Sequence, residues 1–154
     1  GLVDIVAGGP PCQPFSLGGK HRANNDSRDM FPYAIRAIEK LKPKAFVFEN
    51  VKGLLRQTFS EYFEYIVCRL SHPDLQQKPE ESWQNHLSRL RKEKKTKCGG
   101  YKVEYRLLNS ADFGVPQVRE RVVIVGIRDD LPVEWTFPKA THSYDKLLWD
   151  QVSG

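Results

Sequence analysis

No apolar run in this sequence approaches the ~18–20 residues that a membrane-spanning helix requires, so no membrane span is predicted. No basic stretch leads into an apolar one at the start, so no secretory leader is read there. No segment repeats. Cysteine is scarce: Cys12, Cys68 and Cys98 are far apart and odd in number, and no Cys-x-x-Cys pair occurs. That spacing offers neither a zinc site nor a disulfide framework, so no metal is expected and a reducing cytoplasm is the natural setting. What is present reads as one soluble globular domain of 154 residues, 40% apolar and 28% charged, long enough for a real core. The formal net charge of +5 is compatible with a polyanionic partner without identifying one.

Residues 2–7 are mostly apolar and are stopped by Gly8-Gly9-Pro10-Pro11, the pattern of a buried strand running into a rigid loop. The loop continues through Gly18-Gly19 to about Asp26. Asp26 or Ser27 is placed to cap a helix with Met30, Phe31, Ala34, Ile35, Ile38 and Leu41 on one stripe, and Lys42-Pro43 ends it. A second apolar run, Ala45-Phe46-Val47-Phe48, stops at Glu49-Asn50. Strand, helix, strand at this spacing predicts a βαβ unit with a parallel pair. A helix is predicted over 59–70, where Phe59, Tyr62, Phe63, Ile66, Val67 and Leu70 fall at helical spacing. From 71 to 100 the composition turns polar and basic, which reads as a surface insertion holding a short helix with Trp83, Leu87 and Leu90. Alternation at Tyr101, Val103, Tyr105 and Leu107 predicts a half-exposed strand, and 122–127 another. The expected fold class is therefore α/β.

Three places carry chemistry. Cys12 follows two prolines just beyond the carboxyl end of a parallel strand, where open α/β sheets bind ligands. Prolines fix φ and remove donors, so the thiol is presented in a nearly fixed direction. Taken locally, a nucleophile and a structural thiol remain equally good readings. Glu49 ends the neighbouring strand and falls on the same rim. A carboxyl there, in an apolar surround, would hold or give a proton near neutral pH; the plainer reading is a cap for the next segment. Arg119 and Arg121 alternate in Gln117-Val118-Arg119-Glu120-Arg121, so both point the same way in extended chain. Their planar donors suit carbonyl oxygens and phosphates, although by themselves they better describe a salt-bridged strand start with Glu120 between.

Taken together these blocks resemble the cytosine-5 DNA methyltransferases, above all the bacterial restriction–modification type. Pro10-Pro11-Cys12-Gln13-Pro14-Phe15-Ser16 is similar to the family's nucleophile loop. Asp26-Ser27-Arg28 with the helix after it matches the segment that follows, and Glu49-Asn50-Val51 matches the family's Glu-Asn-Val. The stretch from Leu108 through Gly114-Val115-Pro116-Gln117 to Arg121 matches the Gln-x-Arg-x-Arg block. Four blocks in the family's order make a far stronger signal than any one. The likeness covers about residues 3–128, with 71–100 as a longer variable insertion.

The resemblance implies a Rossmann-like S-adenosylmethionine-dependent methyltransferase fold with a mixed, mostly parallel sheet. It implies that the Cys12 thiolate adds to carbon 6 of cytosine, that Glu49 serves the ring nitrogen, and that Arg121, supported by Arg119, holds the ring carbonyl. The base must leave the duplex first. The loop 13–25, with Gly18-Gly19 as hinge and Lys20, His21 and Arg22 for phosphates, suits that step. The implied partners are double-stranded DNA and, functionally, a cognate restriction endonuclease, for a monomer in a bacterial cytoplasm. S-adenosylmethionine is the implied cosubstrate. Pro11 and Phe31 would be its contacts here, although Phe31 equally fits a core stripe. The family's Gly-rich cofactor loop and its target-recognition region lie before and after the matched blocks. The segment is therefore expected to be inactive alone, as a piece of a longer enzyme or a subunit of a split one. The same blocks would also fit the same chemistry on RNA, or a non-catalytic relative.

Overall fold

The βαβ unit forms where the sequence puts it. β1 (Ile5–Gly8) and β2 (Ala45–Val51) run parallel, with Ile5 opposite Ala45 and Gly8 opposite Phe48. α1 (Phe31–Leu41) joins them on one face of the sheet. The computed structural model describes residues 3–11, 29–92, 100–143 and 152. The expected caps Asp26 and Ser27 lie outside them. Within them Met30 stands just before α1, and the buried Asp29 carboxylate accepts from the Phe31 amide at 3.0 Å. The helix ends as Lys42 turns left-handed (φ 44°) and donates its amide to the Ile38 carbonyl at 2.9 Å.

β2 does not stop at Phe48. Glu49, Asn50 and Val51 stay in the strand because β4 (Glu120–Arg128) pairs with them antiparallel, Glu49 opposite Val123 and Val51 opposite Arg121. A ladder partner supplied by the tertiary fold outweighs the polar side chains. β3 (Tyr101–Asn109) pairs antiparallel with β4, so the strand order is β1-β2-β4-β3. The expected mixed sheet is present. Among the described strands one pairing is parallel and two are antiparallel, so the mostly parallel character expected of the complete fold does not hold for this segment.

The core lies between the sheet and three helices: α1, α2 (Ser60–Ser71) and α3 (Trp83–Lys92). Phe31, Ile38, Phe46, Leu54, Ile66, Leu70, Leu87 and Ile124 are fully buried there. The Phe46 ring stacks on Phe48 at 5.2 Å and lies over Gly126, its register partner. A Cβ on Gly126 would stand 2.2 Å from that ring, so only glycine fits.

α3 is less of a surface excursion than its composition suggests. His86, Leu87 and Leu90 are buried against α2. Trp83 meets Tyr62 edge-on at 5.4 Å. Two of its basic residues are ion-paired, Arg89 to Glu81 at 2.8 Å and Arg91 to Glu64 of α2 at 2.7 Å. No helix among the described residues is long and apolar enough to cross a membrane.

Candidate active site

Parallel pairing carries the carboxyl ends of β1 and β2 to one rim, and antiparallel pairing brings the start of β4 there too. The close approach of β1 and β2 at this rim needs Gly9, where a Cβ would sit 3.3 Å from the Glu49 carbonyl and 3.5 Å from its Oε2. Glu49 faces Val123 across the ladder. Because side chains alternate, Arg121 and Arg119 share that face. Both reach the carboxylate: Arg121 Nε lies 2.8 Å from Glu49 Oε1, and an Arg119 terminal nitrogen lies 3.7 Å from it. Arg121 also donates to the Glu120 carbonyl at 2.8 Å.

The surround of Glu49 differs from the expected one. Its side chain is 46% exposed and faces two guanidiniums, where the sequence suggested an apolar pocket. Apolar flanking residues along a strand point to both faces, so they say little about what meets the carboxylate.

Asn50 joins this carboxylate to the chain that leads into Cys12. Its side chain is buried, donates to the Pro10 carbonyl at 2.9 Å and accepts from the Val51 amide at 2.9 Å. The Pro11 carbonyl accepts from the Met30 amide at 3.0 Å, which ties the two ends of the intervening segment together. Cys12 itself, the loop 13–25 with Gly18-Gly19, Lys20, His21 and Arg22, and Cys98 lie outside the described residues. Cys68 is the cysteine among the described residues; burial pushes its thiol up, and Glu64 adds to the effect.

Beside the rim runs an open groove of about 690 Å³. Leu55 and Leu107 form its apolar part and Lys52, Arg56, Arg119 and Arg121 its cationic part. Lys52 pairs with Glu120 at 2.7 Å. Phe31 is fully buried in the core cluster, as its place on the helical stripe of α1 leads one to expect. In the sequence Asn50 stands out only as part of Glu49-Asn50-Val51, and Asn109 lies unremarked within the stretch from Leu108 to Arg121. Their hydrogen bonds are what organise the rim, and the only signal for it was an asparagine placed at a strand end.

An open α/β sheet thus gathers a carboxylate and two guanidiniums at the rim where its parallel strands β1 and β2 end, the place where ligands bind in open α/β proteins. The model of the C-5 cytosine-specific DNA methylase family matches residues 2–80 and 75–151. The chain belongs to that family. It is 41% identical over 141 residues to the Type II methyltransferase M.AquIA of Picosynechococcus sp., covering 91% of this chain and 49% of that protein. To M.XorII of Xanthomonas oryzae pv. oryzae it is 40% identical over 142 residues, 90% of this chain and 27% of the other. The chain thus spans half or less of these relatives. A prophage-encoded E. coli protein described as a candidate DNA modification methyltransferase shares the fold, with a TM-score of 0.53 at 23% identity over 88% of this chain and 30% of that one.

Proposed function

We propose that the complete protein methylates carbon 5 of cytosine in double-stranded DNA, with S-adenosylmethionine as methyl donor and Cys12 as nucleophile. One observation carries this reading: Glu49, Arg119 and Arg121 converge on one rim, and the residue after Glu49 holds the chain that leads into Cys12. Covalent addition to a pyrimidine needs these three kinds of group together.

On this reading the target base is flipped out of the helix. The Cys12 thiolate forms a bond to carbon 6, and the electron pair released makes carbon 5 nucleophilic. Glu49 holds the proton at the ring nitrogen. Arg121 donates to the ring carbonyl, and Arg119 braces it. After carbon 5 has taken the methyl group, its proton goes to a base and the sulfur–carbon bond breaks, restoring the thiolate. S-adenosylmethionine supplies the methyl group. Of the two contacts expected for it here, the Phe31 ring is buried in the core and the Pro11 carbonyl accepts from the Met30 amide. The setting we propose is a monomer in a bacterial cytoplasm, working alongside a cognate restriction endonuclease.

The test is covalent trapping of the full-length protein on duplex DNA carrying 5-fluorocytosine. The wild-type protein is expected to form an adduct that survives denaturation, and Cys12→Ser none. A wild-type protein without an adduct, a Cys12→Ser protein that keeps one, or a preference for tRNA over DNA as methyl acceptor would each refute this function.

A further inference from the structure

Between β3 and β4 the chain leaves the sheet at Ser110 and returns at Glu120. The tip of this excursion buries little apolar surface, since Val118 is 78% and Val115 46% exposed. Its far side is held at Asp112, whose carbonyl accepts from the amides of Thr141 (2.9 Å) and His142 (3.0 Å). The near side, which carries Arg119, is closed differently. The Asn109 side-chain oxygen sits between the two arms of the neck and accepts from Ala111 N at 3.3 Å and from Arg119 N at 3.0 Å. Ser110 adds a main-chain bond to the Arg119 carbonyl at 3.1 Å and a hydroxyl bond to the Gln117 carbonyl at 2.7 Å.

We propose that Asn109 is a positioning residue, whose amide oxygen sets where Arg119 stands on the rim; the role rests on the function proposed above. Arg119 needs such a device more than Arg121 does. Arg121 lies in the ladder opposite Val51 and contacts Glu49 at 2.8 Å. Arg119 lies before the strand begins and stands 3.7 Å from the same oxygen. One oxygen accepting from an amide on each arm fixes the spacing of the neck, and with it the origin of the Arg119 side chain.

The test uses the full-length protein with Asn109→Ala, Asn109→Asp, Arg119→Ala and the Asn109→Ala/Arg119→Ala double variant. Asn109→Asp keeps the acceptor. Two quantities are read: amide exchange of Arg119 in the free protein, and the single-turnover rate of adduct formation on saturating 5-fluorocytosine DNA. Asn109→Ala is expected to speed exchange at the Arg119 amide and to slow adduct formation by at least about tenfold, since small displacements of a catalytic group cost up to ~10²-fold. Asn109→Asp should recover most of the rate, and Asn109→Ala should add nothing to Arg119→Ala. The proposal is overturned if Asn109→Ala forms adduct at the wild-type rate, if Asn109→Asp is as slow as Asn109→Ala, or if the two alanine effects multiply. Absence of an adduct in the wild-type protein would instead overturn the functional reading, and this role with it.

Discussion

The helix-covered face of the sheet and its carboxyl-end rim are built from different material. The face is held by apolar burial: Phe46, Ile66, Leu87 and Ile124 have no exposed surface. At the rim the groups that matter are half-exposed, and directional bonds through two asparagines, Asn50 and Asn109, hold them. Burial is strong and indifferent to direction, whereas a hydrogen bond contributes little net energy but fixes an angle. Stability should therefore follow the face and chemistry the rim, and substitutions should separate the two.

Glu49→Gln should have the largest effect, lowering methyl transfer by ~10²–10⁴-fold, the range lost with a general acid or base. The melting temperature should barely move, because half-exposed ion pairs contribute only ~0–1 kcal/mol. Single-turnover methylation and calorimetry on one preparation would check both. Leu87→Ala should do the reverse. It should cost ~2–5 kcal/mol in urea unfolding, as buried leucine truncations do, with turnover intact wherever the protein is folded. Gly126→Ala comes next, at ~1–3 kcal/mol for forcing a methyl group into the Phe46 ring. Phe46→Leu in that background should return part of the loss, and strict additivity would disprove the contact.

The smallest effect is a pH slope from His86. Its Nε2 donates to the Leu75 carbonyl at 2.9 Å, which can only accept, and its Nδ1 lies 3.0 Å from the Tyr65 hydroxyl. Burial holds this imidazole below its ordinary value, and Arg69 and Arg89 push the same way, against Glu81. The unfolded chain therefore takes up the proton first, near the ordinary histidine value of about 6.5. Stability from neutral His86 is complete above that value and drains as pH falls toward the folded titration. Urea midpoints between pH 7.5 and 5.5 should decline, and His86→Gln should flatten them. Glu81, held at about 2 chiefly by its hydrogen bond from Arg89, titrates below this window.

The sequence made the face far more legible than the rim. Helical spacing located α2 within a residue and put Leu87 and Leu90 on one stripe, because periodicity reports which side of an element is buried. It misjudged α3 as surface, since polar composition between the apolar positions hid how completely they pack. At the rim it identified Glu49, Arg119 and Arg121 but not their mutual pairing. The bond from Asn50 to Pro10 joins residues 40 apart in sequence, and no local pattern encodes a partner that distant. The bond from the Phe31 amide to the Asp29 carboxylate was hidden for another reason, because several residues before α1 are of capping type on paper and composition does not say which bond is made.

The pairing of Glu49 with Arg121 also bears on how a base is received. Before any substrate arrives, the guanidinium already spends a donor on the carboxylate. On the function proposed above, a pyrimidine carbonyl reaching the rim would meet a guanidinium already engaged through Nε with Glu49 and through a terminal nitrogen with the Glu120 carbonyl. Any contact it took from these would be offset in part by the one it loosened. Such a rim would hold a resting base weakly and reserve its strength for the charge that develops once sulfur has added.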